Sequence, residues 1–370
     1  MKCYYYINKN KKRWFKFIKV NYIFNISNKI IFIKTTKKSI IIIFILVFII
    51  FHRFIKSYIN QSVCSCTDNI LYDIVIPVHE KDIKRILKYK PFIEKYIKFN
   101  KMIIITNNFE NLNDIDKSHS TKFIMEDNLI KKENIKNFFI DLGIKETNRT
   151  GWYLQQFLKM SYSEICENEY YLLWDSDTLP IRFINMFDKS NPIFDMKKEY
   201  HSPYFNTLVR LFPDINFSKL SYISEHMMIK TEYMKDLIKT IENNKNIPGK
   251  IYWEKILMAI DRKDIIKSGF SEFETYGSFV DTYYTNTYKH RRWASKRDMT
   301  NCYQTIDNVD IQDIRWLSKD YHAITFENWD KFNKNIFDFI KKVDFENICR
   351  PKRFFKYYKR IMKKFCHNKF

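Results

Sequence analysis

The chain has 370 residues, of which 45% are hydrophobic and 18% aromatic, so it can bury a large core, and this composition argues against a disordered protein. Its formal net charge of +22 comes from the two ends, since residues 1–38 hold eleven Lys or Arg, residues 350–370 hold nine, and neither segment holds an acidic residue. The nearly neutral body argues against a nucleic-acid partner, and the absence of a CxxC pair argues against a structural zinc site.

An apolar run of twelve residues, 40–51, follows the basic segment 1–38. It is shorter than the ~20 residues of a usual transmembrane helix, but flanking Lys and Arg side chains can reach the lipid headgroups, which extends the workable span to 39–55. Positive charge before the span keeps the N-terminus in the cytoplasm, so we expect a single-pass type II membrane protein of the ER, Golgi or another endomembrane. A buried helix is the alternative interpretation.

Residues 56–71 follow as a short polar stem, and a globular domain is predicted over 72–345. Its first element is the run Asp-Ile-Val-Ile-Pro-Val at 73–78, which predicts a buried strand. The strand ends in a polar turn. We expect Pro77, Val78, His79 and Asp82 to line a binding site there.

A helix to about residue 99 and further strands at 102–106 and 122–125 come next. Strands and helices that alternate at this spacing predict an α/β fold with a largely parallel sheet. Ligands of such sheets bind beyond the carboxyl ends of the strands.

The segment Asn-Arg-Thr-Gly-Trp-Tyr-Leu-Gln-Gln-Phe-Leu-Lys-Met, 148–160, predicts a helix after Gly151. Its polar side chains include Arg149, Gln155, Gln156 and Lys159, and two of them, 155 and 159, lie four residues apart and are therefore neighbours on a helix. Either these side chains form a solvated face or they contact the ligand bound at the sheet.

The apolar run Tyr-Tyr-Leu-Leu-Trp, 170–174, predicts a buried strand that leads directly into Asp175-Ser176-Asp177. Two carboxylates so close together at the end of a buried strand are costly unless a cation neutralises them. Mg²⁺ or Mn²⁺ takes one or two carboxylates together with phosphate oxygens, so the triplet predicts a metal that bridges to a diphosphate. An acidic turn in which Asp175 caps the next segment is the alternative.

A further strand is predicted over 221–230, with Glu225 and His226 among apolar residues. His226 either lines a substrate pocket or is a hydrogen-bonded core histidine. Helices are predicted at 231–242 and 252–262.

The segment Gly-Phe-Ser-Glu-Phe-Glu-Thr-Tyr-Gly, 269–277, is a second acidic constellation. Ser271 is a predicted N-cap, and Glu274, three residues later, completes the capping-box pattern. Glu272 is not needed for that box. A transfer to a hydroxyl group needs a carboxylate that accepts its proton, so Glu272 and Glu274 are both candidate catalytic bases.

The order of these motifs resembles the poorly characterised, DxD-containing glycosyltransferase-like family of GT-A fold, over about residues 72–300. The resemblance implies a Rossmann-related mixed sheet flanked by helices and a nucleotide-sugar donor. It also implies Mn²⁺ or Mg²⁺ held chiefly by Asp177, with Asp175 in contact with the ribose or with metal-bound water. The pairing of the two carboxylates makes Asp175 a candidate metal ligand as well. His290 is a candidate third ligand, because some enzymes of this fold supply a late histidine. Arg291 and Arg292 are candidates for contact with the diphosphate, or they belong to a solvated basic turn.

The implied activity is metal-dependent transfer of a sugar to a glycan, protein or lipid acceptor. A catalytically inactive, membrane-anchored glycan-binding protein of the same fold is the alternative. The basic aromatic tail, 346–370, fits an amphipathic helix on an anionic membrane, while a nucleic-acid-binding or disordered tail are the other interpretations.

Overall fold

The computed structural model describes residues 20–26, 29–35, 70–109, 120–144, 148–327, 330–342 and 350–356. The chain divides into two compact units, Met1–Cys66 and Thr67–Phe370. In the first unit, β1 (Val20–Ile26) pairs with β2 (Lys29–Thr35) in antiparallel orientation. The predicted membrane span 39–55 and most of the stem lie outside the described residues. Within the described part, no helix has the length and apolar character to cross a membrane.

The second unit contains the predicted domain, and helices are interspersed among its strands. The strands are β3 (Tyr72–Pro77), β4 (Met102–Thr106), β5 (Thr121–Met125), β6 (Tyr170–Trp174), β7 (Thr178–Pro180), β8 (Phe187–Asp188), β9 (Asn191–Met196), β10 (His226–Lys230), β11 (Lys289–Arg292), β12 (Ser295–Lys296) and β13 (Ala323–Thr325). The α-helices are α1 (Ile83–Tyr96), α2 (Lys132–Asp141), α3 (Thr150–Ser161), α4 (Ser202–Leu211), α5 (Thr231–Asn243), α6 (Tyr252–Ala259), α7 (Arg262–Ile265), α8 (Glu272–Tyr283), α9 (Met299–Tyr303), α10 (Ile311–Leu317) and α11 (Lys334–Lys342).

The central sheet has five strands in the order β10-β6-β3-β4-β5. β3 is parallel to both β4 and β6, β4 is parallel to β5, and β10 is antiparallel to β6. The predicted α/β class with a mixed, largely parallel sheet is therefore confirmed. The chain runs outward from β3 through β4 to β5 and then returns to β6 on the other side of β3. This reversal creates a switch point between β3 and β6, where open α/β sheets bind their ligands.

Each face of the sheet carries its own hydrophobic core. Side chains alternate along a strand, so Ile74 and Ile76 of β3 pack in one core with Ile86 of α1, whereas Val75 packs in the other with Phe157 of α3. Because both faces are covered, β3, β4 and β6 are buried along their whole length, and this explains the mostly apolar runs in the sequence.

A small sheet in the order β12-β13-β7 lies beside the end of β6. β13 pairs with β7, which directly follows the acidic triplet, and the Phe326 amide donates a hydrogen bond of 2.9 Å to the Asp177 carbonyl oxygen. This pairing brings residues from the last third of the domain to the triplet.

Two predictions of local structure are wrong. The predicted strand 221–230 begins only at His226, because Glu225 has a φ of 64° and breaks the extended conformation. The predicted helix 252–262 ends at Ala259, and the short α7 follows.

The beginning of the basic tail is part of the folded unit. Residues 351–356 are helical, and Phe354 and Phe355 are buried against Trp316. These two rings therefore do not form a membrane-facing surface, contrary to the interpretation of the tail as an amphipathic membrane helix. Residues 357–370 lie outside the described part.

Candidate active site at the switch point of the sheet

A cavity of about 490 Å³ opens at the carboxyl ends of β3, β4 and β6. Most of the site residues expected from the sequence line it: Pro77, Val78, His79, Asp82, Gln155, Gln156, Lys159, Asp175, Asp177 and Glu272. Arg149, Glu274 and His290 were also expected there but do not line it, and neither do Arg291 and Arg292. Residues that the sequence patterns did not single out also contribute, among them Arg85, Arg297 and Glu327.

The acidic triplet forms a tight turn between β6 and β7. The Asp175 amide donates to the Glu225 carbonyl oxygen at 2.9 Å, and the Thr178 amide donates to the Asp175 carbonyl oxygen at 3.1 Å. Arg85 Nε, from α1, donates to the Ser176 carbonyl oxygen at 3.3 Å. The backbone around both carboxylates is thus fixed by hydrogen bonds before any ligand binds.

Lys159, near the end of α3, joins two acidic residues of the site. Its Nζ lies 2.6 Å from Asp175 Oδ1 and 2.6 Å from Glu272 Oε1. Burial alone would lower the pKa of Lys159, but the two carboxylates raise it above its ordinary value. Lys159 is therefore a permanently charged cation inside the site.

The carboxylate of Asp177 lacks such a partner. It accepts a long hydrogen bond of 3.4 Å from the Thr178 hydroxyl, and among the described residues no lysine, arginine or histidine forms an ion pair with it. Burial raises the pKa of Asp177 to about 7, and the neighbouring carboxylate of Asp175 adds to this effect. The charged form of Asp177 is therefore short of positive charge.

A second charged network closes the cavity on the side of the small sheet. Buried Glu225 accepts hydrogen bonds from Trp293 Nε1 at 2.8 Å and from Ser295 Oγ at 3.0 Å, and it forms an ion pair with Lys197. Arg297 lies 2.5 Å from Glu327. The sequence pattern singled out Glu225, but its partners come from segments distant in the chain, and no local pattern predicts them.

The two candidate bases have different environments. Glu272, the first residue of α8, lines the cavity. Glu274 instead accepts hydrogen bonds from Ser221 Oγ at 2.6 Å and from the Tyr222 amide at 3.1 Å. The predicted N-cap is confirmed, since the Ser271 side chain accepts from the Glu274 amide. The prediction of a full capping box is wrong, because the Glu274 carboxylate bonds to Ser221 and Tyr222 and not to the Ser271 amide.

The polar residues of α3 are divided between two environments. Gln155 and Gln156 both line the cavity, and Gln156 Oε1 accepts a hydrogen bond of 3.2 Å from the Glu272 amide. The guanidinium of Arg149 lies over the ring of Trp152, 5.6 Å from its centroid. The structure thus brings both glutamines to the site and leaves Arg149 outside the lining.

The late basic motif lies on β11, away from the lining of the cavity. His290 Nε2 lies 2.8 Å from Asp281 Oδ2, and this contact raises the pKa of His290. Arg291 donates through two nitrogens to buried Asp195, at 2.7 and 2.6 Å, while Arg292 is exposed. The structure therefore does not group His290 with the acidic triplet, and Arg291 already has a carboxylate partner.

His226 is a core residue. It is 2% exposed, its Nδ1 lies 2.9 Å from the Ser224 carbonyl oxygen, and its Nε2 lies 3.0 Å from Asp195 Oδ2. Of the two interpretations of this histidine, the structure supports the hydrogen-bonded core residue.

A divalent cation fits these residues only if its ligand supplies part of the coordination shell. Among the described residues, no group of three His, Cys, Asp or Glu side chains is arranged to hold a metal ion. Mg²⁺ with a nucleotide, however, usually takes one or two carboxylates and completes its shell with phosphate oxygens and water. Asp177, half-buried and short of positive charge, suits that mode of binding.

No protein-family model matches the chain, and a search of curated proteins finds no match. The chain is similar to a crystal structure of the galactosyltransferase LgtC in complex with donor and acceptor sugar analogs, with a TM-score of 0.38 and 9% identity over 70% of this chain and 88% of that chain. A structure of an active-site mutant of LgtC gives a TM-score of 0.37 and 10% identity over 69% of this chain and 86% of that chain. Both comparisons measure how similarly the backbones of the two chains are folded.

Proposed function

We propose that the chain is a glycosyltransferase that uses a nucleotide-sugar donor and Mg²⁺ or Mn²⁺ to glycosylate a glycan, protein or lipid acceptor. The observation that carries this proposal is the position of the acidic triplet. Asp175 and Asp177 follow β6 at the switch point of the sheet and line the same cavity as Pro77, Val78 and His79 at the end of β3.

The cavity contains basic side chains that could contact the phosphates of a nucleoside diphosphate. Lys81 and Arg85 line it near the end of β3, where they can neutralise phosphate oxygens. Asp175 and Asp177 line the same cavity, next to Arg85. A volume of about 490 Å³ is in the range of small-molecule sites.

Asp177 would be the principal protein ligand of the divalent ion, with Asp175 beside it. When bound in such a site, the ion stabilises the negative charge that develops on the leaving diphosphate. Arg85 donates to the Ser176 carbonyl oxygen and so holds the turn that carries both carboxylates.

Glu272 is the proposed general base. It lines the cavity, whereas the carboxylate of Glu274 is occupied by Ser221 and Tyr222. A base must lie within hydrogen-bond reach of the proton it accepts, and of the two glutamates only Glu272 lines the cavity. Glu272 Oε1 already accepts a hydrogen bond from Lys159, so the proposed role falls to its other carboxylate oxygen.

Release of nucleoside diphosphate from a panel of nucleotide sugars tests the proposal. With the full chain and Mn²⁺ we expect release from at least one donor, and Asp177→Ala should reduce it by at least about a hundredfold, as expected when a metal ligand that stabilises charge is lost. Asp307→Ala is the matched control, since this exposed aspartate pairs with Lys88 on the surface. No release from any donor would contradict the enzymatic function.

A further inference from the structure

Lys159 places a buried cation between Asp175, at the end of β6, and Glu272, at the start of α8. Its side chain is 4% exposed, and its partners Glu272 and Asp175 are 5% and 27% exposed. The ammonium also lies 4.3 Å from the centroid of the Phe273 ring, a favourable cation–π distance. The end of β6 and the start of α8 are thus joined through one nitrogen atom.

This ammonium takes a position that a metal ion would otherwise use. At 2.6 Å from Asp175 Oδ1, Lys159 Nζ neutralises the carboxylate and covers one of its two oxygens. A divalent ion that approaches the same carboxylate is repelled by the ammonium, and this repulsion is strong where little water screens it. Among the described residues, no lysine, arginine or histidine forms an ion pair with Asp177, and the charge of Arg85 acts on it only from nearby, so the two carboxylates of the triplet are not equivalent.

We propose that Lys159 is a built-in counter-ion that competes with the divalent cation for Asp175, so that Asp177 dominates metal binding and Lys159 sets its affinity. The proposal rests on the proposed function in one respect, the presence of a divalent cation at the triplet. It does not depend on which sugar is transferred. Glu272 keeps Lys159 in place, since it remains a partner of the ammonium when a metal ion draws on Asp175.

Titration of the full chain with Mn²⁺ at a fixed concentration of a nucleoside diphosphate, which supplies phosphate oxygens to the coordination shell, tests this competition by calorimetry and by thermal unfolding. Lys159→Met should bind Mn²⁺ at least about tenfold more tightly than the wild type, because three carboxylates then lack an internal cation. The variant should also melt at a lower temperature without metal and gain more from Mn²⁺. Lys132→Met is the matched control, since Lys132 lines the same cavity but is exposed, so that water and salt screen its charge. The Mn²⁺ affinity of this variant should stay within about threefold of the wild-type value.

Single and double variants of the triplet supply the decisive comparison. Asp177→Asn should abolish Mn²⁺ binding, whereas Asp175→Asn should change the affinity by less than about threefold, because Lys159 already neutralises that carboxylate. In the Lys159→Met background, Asp175→Asn should remove most of the increase in Mn²⁺ affinity that Lys159→Met produces. If Lys159→Met does not fold, the comparison of Asp175→Asn with Asp177→Asn decides the question alone.

Equal losses at Asp175 and Asp177 would overturn the inference, and so would an unchanged affinity in folded Lys159→Met or a lack of Mn²⁺ binding in every variant. These outcomes are separable from the test of the proposed function. A chain that binds Mn²⁺ as described but releases no nucleoside diphosphate keeps the inference and loses the enzymatic function. If the chain releases nucleoside diphosphate but Asp175→Asn and Asp177→Asn weaken Mn²⁺ binding equally, the proposed function stands and the inference about Lys159 fails.

Discussion

Asp177 is the residue on which the account of the site chiefly depends, and its ionisation has a consequence for stability. Its folded pKa of about 7 lies above the ordinary value of 3.8. The native state therefore holds this proton more tightly than the unfolded state. The stabilisation is fully present below pH 4 and is lost as the pH rises through 7.

Asp177→Asn should remove this dependence on pH. Without metal at pH 8, we expect the variant to be more stable than the wild type by about 2 kcal/mol, after allowance for partial exposure of the carboxylate. The advantage should shrink towards pH 5. Urea unfolding in EDTA at both pH values measures it, and an advantage that is equal at pH 5 and pH 8 would contradict the assigned environment.

Arg291 and Arg292 are neighbours with different expected roles. Burial on its own would raise the pKa of Asp195, but its hydrogen bonds with Arg291 and His226 hold it at about 2. Arg291→Met leaves a charged carboxylate that is 1% exposed without its main partner, so we expect a loss of about 3 kcal/mol in unfolding free energy. Arg292 is exposed, so Arg292→Met is the control and should change the unfolding free energy by less than about 0.5 kcal/mol. If denaturant unfolding shows similar losses of stability for the two variants, Arg291 is not the main partner of buried Asp195.

At the scale of single elements, α3 and α8 contain glycines in opposite surroundings. A Cβ at Gly277 of α8 would overlap the ring of Tyr222, whereas a Cβ at Gly151 of α3 meets no atom within 4 Å. Helix propensity favours Ala at both positions by up to about 1 kcal/mol. We expect Gly151→Ala to be neutral or stabilising, and Gly277→Ala to cost about 2 kcal/mol through overpacking. Equal shifts in melting temperature would argue against close packing of α8 on Tyr222.

The elements that the sequence predicted well are those whose local pattern and tertiary environment agree. The run at 170–174 is a strand with the predicted bounds, because every residue of β6 is buried and apolar. The prediction failed before His226, where the φ of Glu225 is 64°. Partners from two other segments hold that glutamate, Lys197 from one and Trp293 and Ser295 from the other, and no local pattern reveals them.

The same distinction applies to the site. Asp175 and Asp177 were identified from the strand before them, since the end of a strand is a local feature. The partnership of Lys159 with Glu272 spans 113 residues and was not foreseen; Lys159 was expected to meet a bound ligand. The contribution of Arg297 likewise depends on the pairing of β13 with β7. Local spacing predicts where carboxylates gather, but their counter-ions come from the tertiary fold.

At the scale of the whole molecule, the concentration of positive charge in the terminal segments suggested that the basic tail lies apart from the folded domain. The structure instead buries Phe354 and Phe355, which are 6% and 7% exposed, and pairs Arg350 with Asp320. The start of the tail is thus part of the hydrophobic core on one face of the sheet.

Phe354→Ala should therefore lower the unfolding free energy by about 3 kcal/mol. Phe332, which is 37% exposed, is the control, and its replacement by Ala should cost less than about 1 kcal/mol. A tail that served only as a membrane-binding segment would give the opposite pattern. In that case Phe354→Ala would leave urea unfolding unchanged and weaken binding to anionic vesicles.

The central claim is that the cavity between β3 and β6 binds a nucleotide-sugar donor together with a divalent ion at Asp177. A crystal structure of the full chain, grown with Mn²⁺ and soaked with several nucleotide sugars, tests it most directly. The account predicts nucleotide density in the cavity near His79 and Arg85, with an anomalous manganese peak beside Asp177. Nucleotide bound outside this cavity, or manganese bound away from the acidic triplet, would contradict it.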